Sequence, residues 1–245
     1  MRELYERYKR CVVQITVRTQ VGDLATGTGF HIGDGYIVTA RRVVEDRSIE
    51  SIAETNSSGT NSFRNVAIKN IFYPSSSKID LTVLETDFSL DHYLEKTTII
   101  DDGKPREKVD RIPLGEHLDD WIGDELVLSK VVAFGYPKIP LAKEYVLFAI
   151  QGEINAVIDK RGEPHPYFII SSIAREGFFG GPVISEYDFL LGVLTESLTD
   201  GEQPLEMGFA SVISIEPLLV LLYENNIRIR GNDNILYEIT DDSSS

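Results

Sequence analysis

An all-β protein built of antiparallel barrels is what the sequence predicts. Three observations carry this: many short alternating or apolar runs, turn residues between them, and helix-like spacing only near the two ends. At 245 residues the chain fits one large β domain or two small ones sharing a seam, and either buries a sizeable core. No internal repeat is present, and no low-complexity block beyond the final DDSSS.

Leu4, Tyr5 and Tyr8 stand at helical spacing among Arg, Glu and Lys, so residues 2–10 read as a short amphipathic helix on the surface of the first barrel. CVVQITVR alternates and reads as a strand. GTGFHI, the turn Gly33-Asp34-Gly35 and YIVTA form a hairpin, because Asp-Gly supplies the positive φ values of a tight turn. Strands follow at IESIAET and FRNVAIKNIFY with a turn at 56–60, and IDLTVLE closes the first half. Residues 87–118 are polar and irregular and read as a crossover.

The second half restarts at Gly123-Asp124. Its strands are ELVLSKVVAFGYP, YVLFAIQGEINAVID with Gly152 at a bend or bulge, and YFIISSI. After GFFGGPVIS come FLLGVLTES and MGFASVIS. Ser214 is placed to cap a last helix, with Pro217 in its first turn and the paired asparagines at its end. The tail beyond is expected to be disordered.

With 24 basic and 39 acidic residues the net charge is −15, which repels phosphate backbones and argues against a nucleic-acid partner. MRELYERYKR holds no apolar run, so neither a secretory signal nor a membrane anchor is expected, and the compartment expected is the cytoplasm. The single cysteine, Cys11, excludes an internal disulfide and reads as a buried strand residue. No His/Cys/Asp cluster has ligand spacing, so neither a metal nor a cofactor is expected.

Three stretches together resemble the trypsin-like serine protease family. GFFGGPV, at 177–183, is similar to the family's Gly-x-Ser-Gly-Gly-Pro, with Phe179 where the nucleophilic serine stands. GTGFHIGDGYIVTARRVVED resembles its glycine-rich hairpin and Thr-Ala-Ala-His segment, with Arg42 at the histidine position. IDLTVLE resembles its aspartate strand and leaves Asp80 in place. The resemblance covers roughly residues 11–215 and implies two Greek-key barrels with a cleft between them. The divisions expected are a helix at 1–10, barrels at 11–100 and 119–214, a crossover at 101–118, a helix at 215–226 and a tail at 227–245.

A guanidinium is always charged and cannot act as a general base, and a phenyl ring has no lone pair for attack on a carbonyl. The resemblance therefore implies a catalytically inactive domain, a pseudoprotease binding a protein or an extended peptide, of unknown oligomeric state. The alternatives are a hydrolase with an unorthodox site, using His31, Ser171 or Ser172, and an engineered inactive form of an active protease. By the same resemblance, the backbone of Gly177, Phe178 and Phe179 corresponds to the oxyanion hole and Ile173 to the base of the substrate pocket. Thr195 stands beside the aspartate, and the edge formed by Thr195, Glu196 and Ser197 is open to β-augmentation.

Asp80 needs a partner, and Arg42 is expected to supply a charge-assisted, bidentate one; the other arrangement is Arg42 in solvent with Asp80 capping the local backbone. Phe178 and Phe179 either plug the cleft or present an aromatic patch.

Overall fold

In the computed structural model the described residues are 1–55, 61–64, 66–88, 90, 100–101, 104–105, 109–114, 124–140, 142–160, 163, 165–199 and 206–230. The expected turn at 56–60, most of the crossover, His92, His117 and the end of the chain from 231 lie outside them.

A helix, α1 (Arg2–Tyr8), leads into a seven-stranded antiparallel sheet of β1 (Val12–Arg18), β2 (Leu24–Gly33), β3 (Tyr36–Thr39), β4 (Ser48–Thr55), β5 (Asn61–Arg64), β6 (Ile68–Phe72) and β7 (Thr82–Thr86). Its order is β5-β4-β1-β2-β3-β7-β6, and a short helix, α2 (Arg41–Val44), follows β3. The single strand expected through FRNVAIKNIFY is thus broken in two. β5 adds to β4 and β6 to β7, at opposite edges of the sheet. Residues 65–67 alone link those edges, a reach of at most about 14 Å, so the sheet must curl into a half-barrel.

The predicted β2–β3 hairpin has a two-residue loop, with Asp34 at φ 49° and Gly35 at φ 85°. Both values are positive, as a type I′ turn requires. A small hairpin, β8 (Ile100–Asp101) and β9 (Lys104–Pro105), precedes the second half.

The second half is a closed barrel of β10 (Lys130–Gly135), β11 (Phe148–Asp159), β12 (Pro166–Ile170), β13 (Pro182–Ser185), β14 (Leu190–Thr199) and β15 (Glu206–Ser214), in the order β10-β11-β12-β15-β14-β13. The mostly β architecture of a half-barrel and a closed barrel is the trypsin-like double-barrel fold. Alternation along β10 explains how the second barrel serves two cores. Val131 and Ala133 point into its interior, with Ile154, Phe168, Ile170 and Leu194. Val132 and Phe134 face the other way, into one apolar cluster with the first sheet's Ile15, Phe30 and Val38. The seam is therefore a packed core rather than a loose interdomain contact.

Segments before and after the two sheets reinforce it. The sequence suggests that α1 lies on the first barrel; its Leu4 and Tyr8 enter the apolar cluster that both halves share, Tyr5 stacks on Phe134 of β10 with ring centroids 6.1 Å apart, and Tyr8 Oη donates to Asp188 Oδ1 at 2.8 Å in the β13–β14 turn. Arg7 pairs with the same carboxylate. The last helix, α3 (Glu216–Glu224), has Ile215 rather than Ser214 at its N-cap, with no side-chain cap. Ser214 belongs to β15, and its buried hydroxyl has no hydrogen-bond partner among the described residues. Pro217 does sit in the first turn, where its missing N–H leaves no bond unmade.

Beyond α3 the chain returns to the first half. Ile227 and Ile229 are buried, and Arg230 donates from its backbone N–H and from Nε to the two oxygens of Asp34, at 2.8 and 2.6 Å. Gly33 leaves room for this, since a Cβ there would stand 2.7 Å from Ile229 Cγ2. The segment before β1 ties the first half to the second, and the segment after α3 ties the second to the first.

If residues 227–230 brace the fold in this way, Ile229→Ala should cost about 2–4 kcal/mol, as for other buried large-to-small changes. Urea unfolding should show a lower midpoint with unchanged slope. An unchanged midpoint would mean that this segment does not dock.

Candidate functional site

The site is built on Gly177-Phe178-Phe179-Gly180-Gly181, which forms two consecutive turns. Phe178 N–H donates to Arg175 O and Gly181 N–H to Phe178 O, both at 2.9 Å. The third residue of each turn is a glycine with positive φ, Gly177 at 95° and Gly180 at 87°, as type II turns demand. Space demands glycine as well. A Cβ at Gly177 would lie 2.3 Å from Tyr136 O, at Gly180 2.2 Å from Thr28 O, and at Gly181 2.0 Å from Phe134 O.

Thr28 of β2 locks this loop to the first half. Its Oγ1 donates to Gly177 O at 2.5 Å and accepts from Tyr136 N–H at 3.0 Å, while its own N–H donates to Phe179 O at 3.0 Å. Gly180 N–H donates to Leu194 O at 2.8 Å, anchoring the turn to β14. Carbonyls of the loop are thus consumed by the scaffold, whereas the N–H groups of Gly177 and Phe179 have no acceptor among the described residues. These two N–H groups, on either side of Phe178 in sequence, are the donors that the resemblance assigns to an oxyanion hole.

The two phenylalanines divide the possibilities between them. Phe178 is a plug, 4% exposed and packed in the interior of the second barrel. Phe179 is half-buried, touches both cores and carries the Arg42 guanidinium 5.7 Å from its ring centroid. Such stacking holds a cation over a ring face at little cost in hydration.

Arg42 and Asp80 meet, with a difference from the expected side-chain fork. Arg42 backbone N–H donates to Asp80 Oδ1 at 2.8 Å, and Arg42 Nε donates to Oδ2 at 2.5 Å. Both arrangements considered from the sequence therefore occur at once: the ion pair forms, and Asp80 binds local backbone. Asp80 precedes β7, which begins at Thr82, so it sits in the turn rather than in the strand. Burial raises its carboxyl above the ordinary value of 3.8 and the Glu196 charge adds to this, against the lowering by Arg42.

Glu196 extends the network. It pairs with Lys160 and stands 4.0 Å from Arg42 Nη2. Lys160 Nζ in turn lies 4.0 Å over the Tyr167 ring, and Tyr167 Oη donates to Glu163. Burial and that carboxylate hold the Tyr167 phenol well above its usual range. None of Lys160, Glu163 or Tyr167 was legible as part of the site, because each comes from the β11–β12 hairpin, far in sequence from the turn.

Other expected members lie elsewhere. Thr195 is buried, and its hydroxyl donates to Ser211 O at 3.1 Å rather than to Asp80. Ser197 Oγ donates to Ala174 O, tying the 171–176 loop to the β14 edge. Ile173, expected at the base of a pocket, is 47% exposed on that loop.

The alternative nucleophile and base are also accounted for. His31 Nδ1–H donates to Asp110 O at 2.7 Å, and its Nε2 accepts from Gly35 N–H at 3.2 Å, so it buttresses the hairpin as a neutral imidazole. His165 Nδ1 faces Glu216 at 3.3 Å. Ser171 Oγ accepts from Glu153 N–H at 3.0 Å. Among the described residues no serine hydroxyl bonds to an imidazole, and no group of three or more His, Cys, Asp or Glu side chains is placed to hold a metal. Cys11 lies just before β1, fully buried, with Sγ 3.7 Å from Val109 O; burial pushes its thiol far up, so the reactive thiolate is not formed.

A double-barrel fold with this loop at its seam defines a chymotrypsin-like scaffold. The trypsin-like peptidase domain family matches residues 27–193, and the chain belongs to that family. No curated protein matches it. Among solved structures, the HtrA-type protease AlgW with tripeptide is similar at 15% identity and TM-score 0.62, over 93% of this chain and 63% of that one. A serine endoprotease from Yersinia pestis is similar at 22% identity and TM-score 0.57, over 93% and 66%. The chain spans slightly under two thirds of the length of these structures. No helix among the described residues is long and apolar enough to cross a membrane.

Asp80 yields a pH test with a definite sign. Its carboxyl is raised in the folded state, so that state holds the proton longer than the unfolded chain does, and wild-type stability is lost as pH rises from the ordinary value of 3.8 through the raised one. Asp80→Asn removes this loss. Urea midpoints at pH 4 and pH 7 should show the variant gaining on wild type as pH rises; a variant that falls further behind would show that Arg42, not burial, controls the carboxyl.

Proposed function

We propose that this chain is a catalytically inactive trypsin-like domain that serves as a binding, scaffolding or regulatory module for a protein or an extended peptide. The observation that carries this reading is the seam itself. Arg42 and Phe179, which the resemblance puts at the base and nucleophile positions, are stacked on each other, with Arg42 bonded to Asp80, and neither is a titrating base or an attacking oxygen. What this leaves for binding is the turn, its N–H groups at Gly177 and Phe179, and the edge of β14 beyond Leu194, which is paired with β15 on one side only.

A peptide partner fits better than nucleic acid, given a net charge of −15. A reducing, cytoplasmic compartment fits a chain whose one cysteine is buried and has no second cysteine to pair with.

A fluorophosphonate probe, which labels activated serines, tests the reading. Wild type should stay unlabelled, and casein should remain intact in its presence. Arg42→His combined with Phe179→Ser should gain labelling while losing about 3 kcal/mol of stability through the deleted ring. Labelling of the wild-type chain would overturn the proposal.

A further inference from the structure

Two features of the seam point the same way. The first is the pair of N–H groups, at Gly177 and Phe179, left without an acceptor among the described residues by a loop whose Gly177, Phe178, Phe179 and Gly181 carbonyls are directed into the scaffold or across its own turn. The second is the state of Arg42. Asp80 engages its backbone N–H and Nε only. The outer nitrogens are not consumed: Nη2 is 4.0 Å from Glu196, a carboxylate already claimed by Lys160, and the side chain is 46% exposed. The ring of Phe179 fixes the guanidinium over the residue that contributes one of the two open N–H groups.

We propose that, if the seam binds an extended peptide as inferred above, it captures the free C-terminal carboxylate of that peptide. One carboxylate oxygen is held by the Gly177 and Phe179 N–H groups and the other by the outer face of Arg42.

The charges are matched to one incoming anion of limited size. Asp80 and Glu196 offset Arg42 and Lys160, so these four ion-paired groups sum to zero, and the two N–H dipoles then favour one added negative charge beside them. A guanidinium is suited to this role because its planar donors meet both oxygens of a carboxylate and never lose their charge. The same permanent charge that forbids base catalysis makes a carboxylate sensor independent of pH across the neutral range. Upstream residues of the peptide would extend along the free side of β14, past Thr195 and Glu196, with the exposed Ile173 available to an apolar side chain.

The inference differs from peptide binding in general by requiring a chain end. A carboxyl-terminal amide has one oxygen and no charge, and an internal peptide bond cannot place an anion at these N–H groups. Buried residues on a continuous chain would therefore be rejected, whereas a short disordered terminus would be accepted.

The experiment uses the full chain, a pooled library of eight-residue peptides with free carboxylates, and the same library amidated. Binding is read by fluorescence anisotropy and by ¹H–¹⁵N shifts. The free-acid pool should bind at least tenfold more tightly than the amidated pool and should move the Gly177 and Phe179 amide signals downfield. Arg42→Met should abolish the discrimination, and Arg42→Lys should restore part of it; both variants keep the backbone bond to Asp80, and their thermal midpoints report folding. Equal binding of the two pools would overturn the carboxylate inference and leave the peptide-binding reading standing. No binding of either pool would overturn both.

Discussion

Thr28 is the residue on which this arrangement turns. Its hydroxyl and N–H hold two carbonyls of the Gly177–Gly181 loop, and the hydroxyl also receives Tyr136 N–H. Three backbone segments from the two halves are thereby fixed around one small side chain, in a fully buried position where an unmade bond is costly. The glycines follow from this closeness, since no Cβ fits where the loop meets Thr28 O, Tyr136 O and Phe134 O. Substituting Phe179 leaves those constraints untouched, because they act on the backbone. Scaffold and side-chain chemistry are separable here: the form of the loop rests on its backbone contacts and not on the side chain at 179.

The electrostatics of the seam show the same separation. In an acyl-transfer site the aspartate orients a base that changes charge during the reaction. Asp80 instead faces a permanent cation, and the chain of partners runs on through Glu196 to Lys160. Such a ladder holds the two barrels in register without cycling protons. Pairs of this kind contribute little when exposed, and the apolar cluster shared by β10 and the first sheet carries more of the joint.

Much of the fold was legible because it rests on local chemistry. Asp34-Gly35 specifies its own turn, and the strand alternation of VVQITVR and KVVAFG follows from which faces are covered. The loop glycines were legible as a pattern, and so was the meeting of Arg42 and Asp80. What escaped depends on distant partners. The break between β5 and β6 follows from barrel curvature, which no short stretch encodes. The docking of α1 on Phe134 and the return of Arg230 to Asp34 join residues from opposite ends of the chain. Ser214 looked like a helix cap because a serine precedes Glu216 and Pro217, but the strand keeps it and the helix starts without a side-chain cap. Ile173 took its expected role from a position in a family pattern, whereas its actual surroundings depend on where the 171–176 loop leans.

Hydrogen exchange at single amides tests most directly whether the turn is a rigid frame with two open donors. The N–H groups of Phe178, Gly180 and Gly181, each bonded within the loop or to β14, should exchange only on near-global unfolding, while those of Gly177 and Phe179 should exchange orders of magnitude faster. Five amides exchanging together at the rate of an unstructured loop would contradict the frame, and slow exchange at Gly177 and Phe179 would contradict the open donors.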